Sequence, residues 1–76
     1  MSKPEQIIEG LGGPTNIKIL EPCITRLRVE VNDPSQVNEA KLKEAGAYGV
    51  VQVEGTVQVV VGPEADHLAR EANSLL

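Results

Sequence analysis

Aromatic side chains are almost absent from this 76-residue chain, which has one tyrosine, Tyr48, and neither phenylalanine nor tryptophan. Proteins that hold single-stranded nucleic acid stack its bases on aromatic rings, so this mode of binding is excluded. The formal charge of -4 also argues against binding to a phosphate backbone, because proteins that do so present a basic surface. We therefore predict no nucleic-acid partner and expect any anion site to be local.

Cysteine is nearly absent too, because Cys23 is the only one and no internal disulfide can form. A lone cysteine fits a reducing compartment or a reactive thiol better than a secreted scaffold. No apolar run follows the N-terminal lysine, and no segment approaches the length that spans a membrane. We expect residues 1–76 to form one soluble, cytoplasmic domain that is monomeric and does not insert into the membrane.

The positions of the apolar and turn-forming residues predict the order helix, hairpin, helix, hairpin, helix. Ser2 with Glu5 forms a capping-box pattern at the first helix, and Asn38 is a candidate cap for the second. This order predicts an α+β fold, a two-layer sandwich of three helices on a four-stranded, mainly antiparallel sheet. The predicted boundaries are a first helix ending at Gly12-Gly13-Pro14, strands Asn16–Leu20 and Thr25–Val31, a helix from Asn38 to Gly46, strands Val50–Val53 and Thr56–Val61, and a last helix opened by Gly62-Pro63.

Reactive groups are concentrated in one stretch, where the only thiol, Cys23, is followed by Thr25, Arg26 and Arg28. The thiolate is the nucleophilic form of cysteine, and nearby guanidinium groups stabilise its negative charge relative to the neutral thiol. Arginine also presents planar, forked donors that suit phosphate oxygens. This combination indicates covalent chemistry on an anion.

Charged and apolar residues alternate from Arg26 to Val31, which is the period of a strand with one buried face. Arg26 and Arg28 then leave the same face with Cα atoms roughly 6.6 Å apart, so both guanidinium groups can reach one ligand. An unbroken strand would point Cys23 and Thr25 inward, away from the arginines. We therefore predict that Cys23 lies in a turn, Glu21-Pro22-Cys23, at the tip of the first hairpin.

A longer pattern around Cys23 resembles a known family. The resemblance rests on Asn16-Ile17, five residues, Cys23, one residue, then Thr25-Arg26-Leu27, with Val29, Val31 and Asp33 at alternate positions. This is similar to the phosphocysteine signature of the glucose-type IIB domains of the bacterial sugar phosphotransferase system. The likeness covers nearly the whole chain and extends to Gly12-Gly13, Gly46-Ala47, Gly49-Val50-Val51 and Val57-Gln58.

The resemblance implies that Cys23 accepts a phosphoryl group from a phosphohistidine on a IIA partner. It further implies that Cys23 passes the group to a sugar of the glucose or N-acetylglucosamine class held by a membrane-embedded IIC transporter, and that Arg26 and Arg28 serve this second transfer. Many relatives are fused to IIC, so the chain is either a separate subunit or an excised piece. Independently of the resemblance, the Thr25 hydroxyl and the backbone amides of Ile24, Thr25 and Arg26 are candidates for a small phosphate nest.

Other interpretations of the same residues stay open at this point. Cys23 as a small buried apolar side chain and the arginines as the solvated face of an edge strand are the plain alternatives. A non-catalytic thiol-sensing or interaction module is a further one. A cysteine phosphatase is disfavoured, because its loop is Cys-x5-Arg before a helix, whereas Cys23 to Arg28 is Cys-x4-Arg running into a strand.

The remaining candidates are weaker. We predict that His67 is a surface residue of the last helix rather than a phosphohistidine, and that Tyr48 packs at a helix-to-strand corner. The carboxylates are scattered and form no cluster with cysteine and histidine, so we predict no metal site and no cofactor. The alternation in the predicted strands places three aliphatic residues on the exposed face, where they are a candidate partner surface: Leu20, Val50 and Val60.

Overall fold

Three helices and four strands alternate along the chain in the predicted order, and the α+β prediction is confirmed. The structure is a computed structural model and describes residues 1–76. The helices are α1 (Lys3–Gly10), α2 (Glu39–Glu44) and α3 (Ala65–Ser74), and the strands are β1 (Ile17–Cys23), β2 (Arg26–Val31), β3 (Gly49–Val53) and β4 (Thr56–Val60). None of the helices is sufficiently long and apolar to cross a membrane.

The four strands form one sheet in the order β1-β2-β4-β3, and every neighbouring pair is antiparallel. On β2 and β4 alternate residues are fully buried and join the helices in a single core, which includes Leu27, Val29, Val57 and Val59. Burying one such side chain contributes roughly 1.5–3 kcal/mol. The residues between them, such as Arg26, are only half-buried and form the outer face of the sheet.

The tip of the first hairpin differs from the prediction. Strand β1 continues through Glu21 and Pro22 to Cys23, and the turn consists of Ile24 and Thr25. Proline is tolerated in β1 because this strand lies at the edge of the sheet. Alternate pairs of an antiparallel ladder exchange no hydrogen bonds, and Pro22, which has no N–H, is of this type where it pairs with Leu27.

The exposed side of β1 was also wrongly predicted. A register shift between Ile17 and Ile19 reverses the parity of the strand, so Ile19 is exposed on the outer face and Leu20 is buried. Val50 packs against the core as well, which leaves Val60 as the one member of the predicted partner surface on the outer face. A bulge of this kind has no clear signal in a single sequence.

The start of β1 is held by Asn16, the only buried polar side chain. Its Nδ2 donates to the carbonyl of Leu11 at 2.8 Å and to that of Asp33 at 3.1 Å, and its Oδ1 accepts from the Asp33 N–H at 2.8 Å. These bonds join the end of α1 to the segment after β2. Asn16 therefore fixes one end of the strand whose other end carries Cys23.

Candidate functional site

Cys23 is the last residue of β1 and pairs directly with Arg26, the first residue of β2. Directly opposite residues share a face of the sheet and have Cβ atoms roughly 4.5–5.5 Å apart. Cys23 is exposed, so the interpretation of this residue as a buried apolar side chain is wrong. The expected place of Cys23 at the hairpin tip is confirmed. However, Cys23 lies outside the core because it is on the outer face of β1, and not because it belongs to the turn.

The two-residue turn after Cys23 is strained and firmly anchored. Ile24 has a φ of 59° and its side chain is 91% exposed. A β-branched residue in the left-handed region costs roughly 1–2 kcal/mol, and no burial offsets this cost here. The Thr25 carbonyl accepts hydrogen bonds from Val61 N–H at 3.0 Å and Gly62 N–H at 2.9 Å. The end of β4 therefore holds the turn in place, and a positive φ is what a two-residue hairpin turn requires at this position.

The backbone amides of the predicted phosphate nest are not equivalent. The N–H groups of Ile24 and Thr25 donate to no backbone carbonyl, and both residues are exposed, so both donors are available to an anion. Arg26 instead closes the hairpin opposite Cys23. Pro22 and Leu27 form a pair without hydrogen bonds, so the neighbouring pair, Cys23 with Arg26, is of the hydrogen-bonded type. The Arg26 N–H is therefore used within the ladder and is less available to an anion.

The two arginines share the outer face as predicted but have different partners. Arg26 donates from Nη1 to Oε1 of Gln58 at 2.8 Å and contacts no carboxylate, so its positive charge stays uncompensated beside Cys23. Arg28 contacts Glu21 Oε1 at 3.1 Å and Glu30 Oε2 at 3.2 Å through its Nη1. Strand β2 is internal to the sheet and both arginines are half-buried, so their interpretation as the solvated face of an edge strand is wrong.

Two contributors to the site were missed from the sequence. Gln58 orients Arg26, and Glu21 neutralises Arg28 from the neighbouring strand. Gln58 does carry a signal, because it is a polar residue at an outward position in a run of valines. Glu21 carries none, because its partner depends on the register of β1 with β2.

The site is an open surface rather than a pocket. The two depressions on the molecular surface lie around α1, Met1 and Glu9, and neither includes a residue of the β1–β2 turn. His67 is a surface residue of α3 as predicted, with Nε2 at 3.2 Å from Glu71. Tyr48 lies at the corner between α2 and β3, but its side chain is mostly exposed instead of packed.

The chain is similar in sequence to known proteins. The sequence model of the family described as "phosphotransferase system, EIIB" matches residues 5–38, which include Cys23 and both arginines. The chain is 56% identical over 75 residues to the PTS system N-acetylglucosamine-specific EIIB component of Streptomyces coelicolor, and the match covers 99% of this chain and 97% of that protein. The chain belongs to the EIIB family of the phosphotransferase system.

The fold of this EIIB component agrees with a solved structure, described as one domain of the PTS system IIabc component from Clostridium difficile. The two have a TM-score of 0.81 and 25% sequence identity, over 97% of this chain and 78% of that one. As an EIIB component the protein is a phosphotransferase, which accepts a phosphoryl group from a IIA partner and passes it to a sugar in concert with a membrane IIC partner. The resemblance to the sugar phosphotransferase system is thereby confirmed.

Proposed function

We propose that Cys23 is the residue that carries the phosphoryl group. The observation that supports this most is an exposed thiol directly opposite an arginine that has no carboxylate partner. Phosphoryl transfer depends on an in-line approach and on neutralisation of the equatorial oxygens. Cys23 supplies the nucleophile, and Arg26 supplies the nearest positive charge.

In the first step the Cys23 thiolate attacks the phosphorus of a phosphohistidine on the IIA partner. The S–P bond forms as the N–P bond breaks, and the electron pair of that bond returns to the histidine ring. In the second step a sugar hydroxyl oxygen attacks the same phosphorus, the S–P bond breaks with its electron pair on Sγ, and the hydroxyl proton leaves to solvent. Cys23 is then ready for another cycle.

The neighbouring groups act on the oxygens of the transferred group. The free N–H groups of Ile24 and Thr25, with the Thr25 hydroxyl, form a small nest for these oxygens. The Arg26 N–H becomes a further donor when its hydrogen bond in the β1–β2 ladder opens. The guanidinium of Arg26 contacts the oxygens from the opposite strand. Arg28 is two residue pairs further along the ladder and serves mainly the delivery to sugar.

The sugar belongs to the N-acetylglucosamine or glucose class and is held by the IIC transporter. Identity of 56% over 97% of a protein named as N-acetylglucosamine-specific favours N-acetylglucosamine. The protein is a cytoplasmic monomer that meets the inner face of the membrane only transiently. The open surface around Cys23 supports brief contacts at the small end of interface sizes, as a carrier with two successive partners requires.

The assignment is tested with phosphorylated IIA and single variants. Cys23→Ser should abolish transfer of labelled phosphoryl to this protein, whereas His67→Gln should accept it as the wild type does. Labelling that survives Cys23→Ser and is lost in His67→Gln would overturn the assignment. A wild-type Cys23 that oxidises selectively but never accepts the phosphoryl group would instead indicate a thiol-sensing module.

A further inference from the structure

Four side chains form a small rectangle on the outer face of the first hairpin. Cys23 and Glu21 alternate along β1, while Arg26 and Arg28 alternate along β2, and the register pairs Cys23 with Arg26 and Glu21 with Arg28. Residues two apart on one face have Cα atoms roughly 6.6 Å apart. Glu21 is therefore as close to Cys23 along its own strand as Arg28 is to Arg26.

This position makes Glu21 unfavourable for phosphocysteine in two ways. A phosphoryl group carries roughly -1.5 to -2 charges at neutral pH, and Glu21 lies within the Debye length of about 8 Å at physiological ionic strength. Glu21 also contacts Arg28 at 3.1 Å and so occupies a guanidinium that would otherwise turn toward the phosphoryl oxygens. Both effects raise the free energy of the phosphorylated form relative to the free thiolate.

Glu30 provides an internal comparison. It contacts the same Nη1 of Arg28 at 3.2 Å, so its removal also takes one of the two carboxylates away from this guanidinium. However, Glu30 pairs with Ile19, near the start of β1. On β2 it lies four residues from Arg26, which is the partner of Cys23. Its backbone is therefore roughly 13 Å from that of Arg26, and its carboxylate reaches Arg28 from the side away from Cys23, so its direct repulsion with a group on Cys23 is weaker than that of Glu21.

We propose that Glu21 is a positioning residue that keeps phosphocysteine from being too stable, through its own charge beside Cys23 as well as its contact with Arg28. This inference rests on the proposed function and adds the control of group-transfer potential at the same site. A carrier has to release what it accepts, and an intermediate held by two free arginines would lie in a deep minimum and be slow to react onward. Glu21 makes the phosphoryl group easier to release.

The test is the equilibrium of phosphoryl transfer between phosphorylated IIA and this protein. Glu21→Gln removes the charge and keeps the length and the acceptor oxygen of the side chain. Glu30→Gln removes the other carboxylate from Arg28 and leaves the charge of Glu21 beside Cys23, and Glu44→Gln removes the same charge from the exposed end of α2. Glu21 and Glu44 are exposed and Glu30 is half-buried on the outer face, so circular dichroism should show folded proteins.

We expect Glu21→Gln to raise the equilibrium constant for loading roughly threefold to tenfold and to slow single-turnover delivery to sugar by a similar factor. Glu30→Gln should change loading less than about twofold, Glu44→Gln should match the wild type, and the effect of Glu21→Gln should shrink in 1 M salt, where the Debye length is about 3 Å. Equal loading by Glu21→Gln and Glu44→Gln, or by Glu21→Gln and Glu30→Gln, would overturn the proposal. A wild type that is not labelled at Cys23 would instead refute the proposed function, which separates the two failures.

Discussion

Replacing Asn16 with alanine tests whether one buried amide holds the first hairpin to the rest of the fold. The side chain is 3% exposed and makes three hydrogen bonds, two as a donor and one as an acceptor. Asn16→Ala removes all three and leaves the carbonyls of Leu11 and Asp33 and the Asp33 N–H without this partner. No other side chain of the core can replace these bonds.

The expected loss follows from the number of bonds. A net contribution of about 1 kcal/mol for each hydrogen bond predicts that the free energy of unfolding falls by about 3 kcal/mol. The total free energy of unfolding of a chain of this length is only about 4–11 kcal/mol. Asn16→Ala should therefore remove a large part of the stability, although Cys23, at the other end of β1, is unchanged.

Urea denaturation followed by far-UV circular dichroism measures this loss. With a slope of about 1 kcal/mol per molar urea for a small domain, the midpoint should fall by about 3 M. The matched control is Asn38→Ala, which removes an exposed cap with a single hydrogen bond to the Lys41 N–H at 3.1 Å and should lower the midpoint by about 1 M. If Asn38→Ala lowered the midpoint more than Asn16→Ala, the stabilising role assigned to the buried amide would be wrong.

Two further predictions concern delivery to sugar and pH. Arg26→Lys should slow delivery by about tenfold to a hundredfold and loading by less than about threefold. The reason is that an ammonium cannot keep the Gln58 contact and also present a fork to the phosphoryl oxygens. Rapid-quench kinetics of the two half-reactions measure both rates, and equal losses would refute this prediction. The pKa of Asp33 is lowered from its ordinary value of 3.8 by hydrogen bonds from the side chain and backbone of Ser35, and the pKa of Glu5 is lowered from 4.5 by hydrogen bonds with the backbone and side chain of Ser2. A pKa that is lower in the folded state contributes stability above the unfolded value and loses it as the pH falls through the folded value. The free energy of unfolding should therefore decline below about pH 4.5, and Asp33→Asn should decline less steeply over the same range in urea titrations; identical pH profiles would contradict the assignment to Asp33.

The order and type of the elements were predictable because each has a strong local signal. Ser2 and Glu5 do form the capping box of α1, and Asn38 caps α2. The alternation from Arg26 to Val31 correctly separated the buried face of β2 from the outer face. These signals depend on neighbours within a few residues, which a single sequence contains.

The errors arose where the answer depends on pairing between strands. The sequence predicts Glu21 and Pro22 as turn residues, whereas proline is accepted in β1 because this strand lies at the sheet edge and Pro22 occupies a pair without hydrogen bonds. The register shift after Ile17 reversed the expected exposure of Leu20. Parity within one strand cannot detect a bulge, because a bulge is a property of the pair.

The candidate site shows the same division. Cys23, Thr25 and the two arginines were found from their residue types and spacing, and the structure brings Cys23 and Arg26 together. That Arg28 is neutralised by Glu21 while Arg26 is not follows only from which residues face each other across β1 and β2. The residues were therefore readable from the sequence, whereas their electrostatic difference was not.

Mass-spectrometric peptide mapping tests most directly whether the transferred group is carried on the sulfur of Cys23. The wild-type protein is incubated with the general phosphotransferase proteins, IIA and phosphoenolpyruvate, and then digested. We expect one phosphorylated site, on Cys23, and we expect the phosphoryl group to be lost when the matching sugar and IIC-containing membranes are added. A phosphoryl group on His67 or any other residue, or an unmodified Cys23 while IIA is fully phosphorylated, would contradict this expectation.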